Sequence, residues 1–147
     1  MKRNIFHSFT FAFLLLIFAY PLCAQKKSAL ELFNQAQELQ QQSKWFDAVD
    51  LYQEALLLNP QYGDALYNLA LCHYALGSYD LSVQYADESS KYARNFSDIQ
   101  NLKGLSLISL GRVNEAKDVF NQILKKYPND VNARFGLAEL DLLDGRL

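Results

Sequence analysis

The chain has 147 residues, and the length predicts a single domain. Half of its residues are apolar and one fifth are charged, which excludes a disordered chain. The formal net charge is -2, and a chain without a basic excess offers no patch suited to a nucleic-acid backbone, so we expect no nucleic-acid partner.

Residues 1–24 have the pattern of a secretory signal peptide. Lys2 and Arg3 give a basic start, a long apolar run follows, and small residues end the segment. We expect cleavage after Ala24, which leaves residues 25–28 as a short lead and a mature chain with 12 basic and 16 acidic side chains. The pattern predicts an exported protein in the periplasm or elsewhere in the cell envelope.

Two alternatives remain open for this segment. The apolar stretch 5–22 approaches the length of a membrane span and would then stay as an uncleaved anchor. Cys23 would carry a lipid if the segment were a bacterial lipoprotein signal. We expect a membrane partner only in these two cases. Otherwise Cys72 is the sole cysteine of the mature chain, which excludes an internal disulfide framework.

From Ser28 onward the sequence repeats with a fixed period of about 34 residues, which is typical of repeat proteins. Apolar residues inside each period have helical spacing, and a break falls near its middle, so each period predicts two antiparallel helices joined by a tight turn. The small residues and turn residues that recur at this spacing are Ala36, Ala70, Gly104 and Ala138, then Ser43, Gly77, Gly111 and Gly145.

The ends of several helices have recognisable signals. Ser28 and Ser97 each precede a Glu or Gln by three residues, which is the spacing of a capping box. Pro60 and Pro128 each end the second helix of a pair, because proline lacks the N–H that a helix needs. The predicted helices are residues 28–42, 46–59, 63–76, 79–93, 97–110, 113–127 and 130–143.

The order of features within one period resembles the tetratricopeptide repeat. That order is a small residue early in one helix, a turn, an alanine, an aromatic residue four positions later, a second alanine and a closing proline. The resemblance implies an all-α fold, a right-handed α-solenoid of antiparallel helix pairs with about three and a half repeats. The residues that carry it are Ala36, Leu39, Ala48, Tyr52, Ala55 and Pro60, then Leu69, Ala70, Gly77 and Tyr79, then Gly104, Leu107, Gly111, Ala116, Phe120 and Pro128.

The second repeat departs from this pattern. Ser82 and Ser89 replace alanines, Ala86 replaces the aromatic, and Arg94 replaces the proline. We therefore expect its second helix to pack least well, and to run on toward Asn95 or to bend differently at the next junction. The expected repeats are 29–62, 63–96 (degenerate), 97–130, and 131–147 as the first helix of a fourth repeat or a terminal capping helix.

No group of residues points to catalysis. His73 is the only histidine of the mature chain and takes a slot where the family has a packing aromatic. Cys72 lies next to it, but consecutive helical residues point about 100 degrees apart, so the two do not form a ligand pair. We interpret both as packing residues, and we expect no enzymatic activity, no metal and no cofactor.

The resemblance also implies a binding surface on the concave side, lined by the first helix of each pair. Carboxylates and aromatic rings there favour a protein or peptide partner that is neutral to basic. The family's basic clamp for acidic chaperone tails is not matched, since only Asn68 fits it. The residues carried over to the groove are Tyr67, Asn68, Leu71, Tyr74, Asp64, Asp98, Asn101, Phe33 and Phe135, together with Gln37, Gln40, Gln41, Leu105, Ile108 and Glu139.

Together these features predict a non-catalytic protein-protein interaction scaffold or adaptor in the cell envelope, which binds a peptide or protein segment on its concave face. Two alternatives stay open. The surplus apolar residues of 131–147 would let the chain associate with itself as a structural or assembly component. The sequence is also compatible with a fragment of a longer exported protein built from such repeats.

Overall fold

The computed structural model describes residues 27–143 and 145, and that part of the chain is entirely helical, with no strand. This confirms the all-α prediction. The signal peptide expected at residues 1–24 lies outside the described residues, as does Cys23. The helices are α1 (Ala29–Gln41), α2 (Trp45–Leu58), α3 (Gly63–Ala75), α4 (Tyr79–Ser89), α5 (Phe96–Ser109), α6 (Val113–Lys126) and α7 (Val131–Leu143).

Local sequence signals account for most helix ends. Ser28 caps α1 in the predicted capping box: its hydroxyl accepts from the Glu31 amide at 3.2 Å, and the Glu31 carboxylate accepts from the Ser28 amide at 2.8 Å. α2 and α6 end two residues before Pro60 and Pro128. The residue between has an extended backbone in both cases, as proline imposes on its predecessor.

The turn inside each pair has one geometry. Ser43, Gly77 and Gly111 all have positive φ, at 58°, 73° and 71°. In the first turn the Ser43 amide donates to the Gln40 carbonyl and the Lys44 amide donates to the Leu39 carbonyl, both at 2.9 Å, and the other two turns repeat these bonds. This is the Schellman arrangement, in which a left-handed residue lets the last carbonyls of a helix find donors.

Each helix packs against its neighbours in the chain, so the helices form a single stack of pairs. The first helices of successive pairs, α1, α3, α5 and α7, also contact one another. Across the described residues the second helices α2, α4 and α6 do not contact one another. The first helices are therefore closer together, and they line the inner side of the curve.

The signature residues largely form the core. Leu39 and Tyr79 are half-buried, and Pro60, Gly77, Gly111 and Pro128 are exposed at turns and helix ends. The other signature residues are buried: Ala36, Ala48, Tyr52, Ala55, Leu69, Ala70, Gly104, Leu107, Ala116 and Phe120. Ala138 is exposed, in contrast to Ala36, Ala70 and Gly104 at the same repeat position, because no second helix packs over it in the described part of the chain.

The expectations that the second helix of repeat two reaches residue 93 or runs on toward Asn95, and that it packs least well, were wrong. α4 ends at Ser89, earlier than the predicted end at residue 93, and Ser89 donates from its hydroxyl to the Gly63 carbonyl at 2.9 Å. Beyond the helix the chain folds back so closely that a Cβ on Gly63 would lie 2.6 Å from the Ala93 nitrogen. Ser82 and Ala86 are fully buried as well, so α4 packs closely rather than loosely.

The capping box expected at Ser97 was also wrong. α5 begins one residue earlier, at Phe96, with Asn95 at the cap position and no side-chain capping bond. Ser97 instead donates its hydroxyl to the Asp130 carboxylate, across to the start of α7. Among the described residues, no helix is both long enough and apolar enough to cross a membrane.

Candidate functional site

A pocket of about 330 Å³ opens on the inner side of the curve, between α3, α5 and α7. Six of the fifteen residues predicted for the groove meet around it. The residues that line it are Tyr67, Leu71, Asp98, Asn101, Leu102, Leu105, Asn132 and Phe135.

Helical periodicity explains why these residues meet. On α5 the lining residues Asp98, Leu102 and Leu105 are spaced by four and three, so they share one face of the helix. Tyr67 and Leu71 have the same relation on α3. The stacking of α3, α5 and α7 then brings the three faces together.

Hydrogen bonds to the Asp130 carboxylate connect the α5 and α7 sides of the pocket. The Asp130 carboxylate accepts from the Ser97 hydroxyl, from Asn101 Nδ2 at 3.2 Å, and from the Ala133 amide at 2.8 Å. These bonds, led by the one from Ser97, lower the pKa of Asp130. Because the Asn101 amide group donates to Asp130, the orientation of this buried side chain is fixed.

Two carboxylates contribute to the electrostatics of the pocket: Asp98 in its lining, and Asp130, which accepts from the lining residue Asn101. Among the described residues, Asp98 is the only charged one that lines the pocket itself, and it is exposed. Tyr67 is half-buried beside it, and burial, together with the nearby Asp98 carboxylate, raises the pKa of the Tyr67 phenol. The phenol is therefore neutral near pH 7, and the pocket carries a net negative charge.

The other predicted groove residues lie elsewhere. Phe33 is buried in the core, with its ring centroid 5.7 Å from that of Tyr52 and 4.9 Å from that of Tyr62, so it is not free to bind a partner. Tyr74 packs edge-on against Tyr79, with ring centroids 5.4 Å apart.

Asn68 and Asp64 are also outside the pocket. The Asn68 amide donates to the Asp64 carbonyl of its own helix at 2.8 Å, and it does not line the 330 Å³ pocket. Asp64 lines a separate opening of about 580 Å³ between two inter-helix junctions, together with residues such as Tyr62 and Arg94.

Two lining residues were not in the predicted groove set. Asn132 could have been found from the repeat, because it follows Asp98 by one full period and takes the same place on α7. Leu102 carries no such signal, since its counterpart Asn68 does not line the pocket.

Cys72 and His73 are both buried on α3, as expected for packing residues. Burial raises the pKa of the Cys72 thiol to about 11, so the thiol stays protonated at neutral pH and is a poor nucleophile. His73 stacks on Tyr85 with ring centroids 5.3 Å apart. No group of three or more His, Cys, Asp or Glu residues within the described ranges could hold a metal ion.

Comparison with solved structures shows the same fold. The first repeat domain of Spaghetti (RPAP3), bound to the HSP90 peptide SRMEEVD, is 19% identical, with a TM-score of 0.74 over 80% of this chain and 94% of that one. The second such domain of human RPAP3, in complex with the HSP70 peptide SGPTIEEVD, is 18% identical, with a TM-score of 0.72 over 77% and 94%.

A third structure is similar over a larger part of this chain. YrrB, described as having an unusual peptide-binding site, is 20% identical, with a TM-score of 0.71 over 83% of this chain and 63% of that one. No curated protein matches the sequence. Two family models, both described as Tetratricopeptide repeat, match residues 33–95 and 97–140. Over these residues the chain belongs to the tetratricopeptide repeat family.

Proposed function

We propose that this chain is a non-catalytic protein-protein interaction scaffold or adaptor of the cell envelope, and that it binds a peptide or protein segment on its inner face. The observation that carries this proposal is the pocket between α3, α5 and α7. It gathers residues from three successive repeats, and its walls are largely leucine and aromatic side chains. Such a surface suits a chain that runs across the first helices.

The structural neighbours support the choice of a peptide. Two of them are bound to peptides, from HSP90 and HSP70, and a third is described by its peptide-binding site. Their low identity to this chain supports no particular partner. The lone Asp98 carboxylate favours a neutral to basic segment for this pocket. Nucleic acid, metal ions and cofactors have no part in the proposal.

Affinity capture tests the binding surface. The wild-type protein is used as bait on an envelope fraction, beside a Leu105→Glu variant that puts a charge into the half-buried pocket wall. Leu57→Glu is the matched control, because Leu57 is 83% exposed and lies on α2, away from the pocket. We expect wild type and the control to retain the same partner and Leu105→Glu to lose at least nine tenths of it. Equal capture by all three baits would refute the inner face as the binding surface.

Export is the second part of the proposal, and it is supported by the sequence of residues 1–24 alone. N-terminal sequencing of the protein from the envelope fraction should give a first residue of Gln25. A chain that keeps Met1 and stays with the membrane would instead indicate an uncleaved anchor. Recovery of the protein with Met1 from the cytoplasm would contradict export.

Self-association is a second candidate, favoured by one observation. α7 exposes four large apolar side chains, each at least 64% accessible: Val131, Phe135, Leu142 and Leu143. A patch of this kind is typical of an interface. Size-exclusion chromatography with light scattering tests it. The fraction of a dimer formed through α7 would rise with protein concentration, and Leu142→Glu would abolish the dimer. A monomer at every concentration would exclude it.

A further inference from the structure

We propose that the pocket between α3, α5 and α7 is a subsite for the side chain of an arginine or lysine, carried by an extended peptide with an apolar residue beside it. This rests on the proposed function and narrows it from a peptide in general to one side-chain chemistry. It also predicts that the chain rejects an acidic peptide without a basic residue, such as the HSP70 peptide SGPTIEEVD bound by a structural neighbour.

The charge of the pocket is the first argument. Within residues 27–143, the side-chain carboxylate of Asp98 forms no ion pair or hydrogen bond, although it is accessible at the pocket edge. The cations on the same helices have partners elsewhere: Lys103 Nζ lies 2.6 Å from Asp87 Oδ1, and Arg134 Nη2 donates to the Pro128 carbonyl at 2.7 Å. A cation from a bound peptide would therefore be the natural counterion of Asp98.

The walls of the pocket fit the rest of such a side chain. Tyr67 and Phe135 offer aromatic rings, which attract a cation over their faces. Leu71 and Leu105 offer an apolar surface for the methylene stem, since long basic side chains bury their stems and leave the charge at the rim. Phe135 is 68% exposed, so its ring is available to a ligand.

The size of the pocket indicates an extended peptide. Its volume of about 330 Å³ is at the lower end of the range for small-ligand sites, enough for one long side chain and part of a neighbour. A whole helix, about 10–12 Å across, would not enter it. The exposed Asn132 amide at the rim can both donate to and accept from the backbone of an extended chain.

The test uses four labelled peptides, Ser-Gly-Leu-X-Leu-Gly-Ser with X as Arg, Lys, Gln or Glu, together with SGPTIEEVD, which has no basic residue, and measures binding by fluorescence anisotropy at low salt. We expect the Arg and Lys peptides to bind at least tenfold more tightly than the Glu peptide, and SGPTIEEVD to bind most weakly or not at all. Added salt should reduce the difference, because the attraction is between charges near the surface.

Variants of Asp98 test whether its carboxylate causes the preference for basic peptides. Asp98→Asn should reduce the Arg-to-Glu ratio to about one third or less of its wild-type value, and Asp98→Lys should invert the order of the peptides. Asp118→Asn is the matched control, because it removes the same charge from an exposed position on α6 and should leave the ratio unchanged. Thermal melting confirms that each variant is folded.

The outcomes separate this inference from the proposed function. If the four peptides bind equally, or if none binds, or if Asp98→Asn keeps the full preference, the basic subsite is wrong. In that case the loss of a captured partner from Leu105→Glu would still support an inner-face binding module. If Leu105→Glu retains both its partner and the Arg peptide, the inner face itself is excluded.

Discussion

The second helices of repeats two and three, α4 and α6, fill the same slots with different side chains. At three equivalent repeat positions, α4 has Ser82, Ala86 and Ser89, whereas α6 has Ala116, Phe120 and Ile123. All six side chains are completely buried. Small and large side chains are therefore buried to the same extent, so neighbouring residues must compensate for the difference in side-chain volume.

Neighbouring residues compensate for the size of the side chain at the central position, which is Ala86 in α4 and Phe120 in α6. Phe120 packs on two glycines: a Cβ built on Gly104 or Gly136 would lie within 2.5 Å of its ring. The residues one period earlier are Ala70 and Leu102, which pack in one cluster with Ala86. Leu102 thus supplies the volume that Ala86 lacks. As volume-conserving changes are tolerated best in a core, the two repeats keep one helix geometry with two packing solutions.

The serines of α4 add polar bonds that α6 lacks. The hydroxyls of Ser82 and Ser106 form a hydrogen bond at 2.9 Å, and Ser89 Oγ donates to the Gly63 carbonyl at 2.9 Å. Repeat two is therefore held by small side chains, close backbones and hydrogen bonds, while repeat three is held by one large aromatic ring. Leu102, which packs with Ala86, also lines the inner pocket.

The largest effect is expected from Phe120→Ala. It removes a ring that fills the space against the glycines of two helices, so we expect a loss of about 3–5 kcal/mol in the free energy of unfolding. Urea denaturation followed by circular dichroism measures it. Phe46→Ala is the control, because Phe46 is 74% exposed and should cost less than about 0.5 kcal/mol. A loss below about 1 kcal/mol for Phe120→Ala would mean that the surrounding helices close the space left by the ring without a partner such as Leu102 to fill it.

Gly136→Ala is expected to cost about 1–2 kcal/mol, although alanine favours a helix, because its Cβ would lie 2.4 Å from Phe120 Cζ. Where the ring of Phe120 is absent, a larger side chain at position 136 should instead stabilise the protein. In a Phe120→Ala background, Gly136→Leu copies the pairing of Ala86 with Leu102 and should recover at least half of the lost stability. This compensation between side-chain volumes would be contradicted if Gly136→Leu destabilised that background too.

Ser89→Ala should cost about 1–2 kcal/mol, since it leaves the buried Gly63 carbonyl without its hydroxyl donor. Ser90→Ala is a matched control one residue later. The Ser90 hydroxyl donates to the Asp87 carbonyl of its own helix at 2.7 Å, in an exposed bond that should contribute less than about 0.5 kcal/mol. Equal losses from the two variants would show that the bond between helices has no special role in α4.

The fold could be predicted because its signals are local and repeated. The repeat period, the capping box at Ser28 and the prolines each reflect one helix or turn, and Ser43 has the positive φ of Gly77 and Gly111 because the helix end there requires it. Two predictions from local signals failed where residues far apart in the chain meet: α4 ends before a stretch that packs Ala93 against Gly63, and Ser97 bonds to Asp130 instead of capping α5.

The pocket could be predicted only in part, for a related reason. Tyr67, Asn101 and Phe135 were found by register, and the structure does bring them together. Phe33 has the same register but is covered by Tyr52 and Tyr62, which a periodic pattern cannot show. Likewise, Leu102 packs in one cluster with Ala86 and lines the pocket, whereas its counterpart one period earlier, Asn68, does not line it. Register gives the face of a helix, while exposure depends on the size of its neighbours.

The smallest expected effect is a pH dependence of stability that His73 gives to repeat two and that repeat three lacks at the same position. His73 takes the repeat position that Leu107 takes in repeat three, and it stacks on Tyr85 of α4, with no hydrogen-bond partner for either ring nitrogen among the described residues. Burial lowers the pKa of His73. The unfolded chain takes up this proton near the ordinary pKa of about 6.5, before the folded chain does, so stability is complete above that pH and falls as the pH drops through the window below it.

We therefore expect the stability of wild type to fall relative to His73→Phe by at most about 1.4 kcal/mol between about pH 7.5 and about pH 5.5. Urea denaturation of both proteins at each pH measures the difference, so that all other titrating groups cancel. Leu107→Phe, the matching change in repeat three, should shift the stability equally at both pH values, because no ionisable group is replaced. If wild type and His73→Phe respond to pH in parallel, the ring accepts a proton in the folded chain as easily as in the unfolded one, and its stacking on α4 does not keep it neutral.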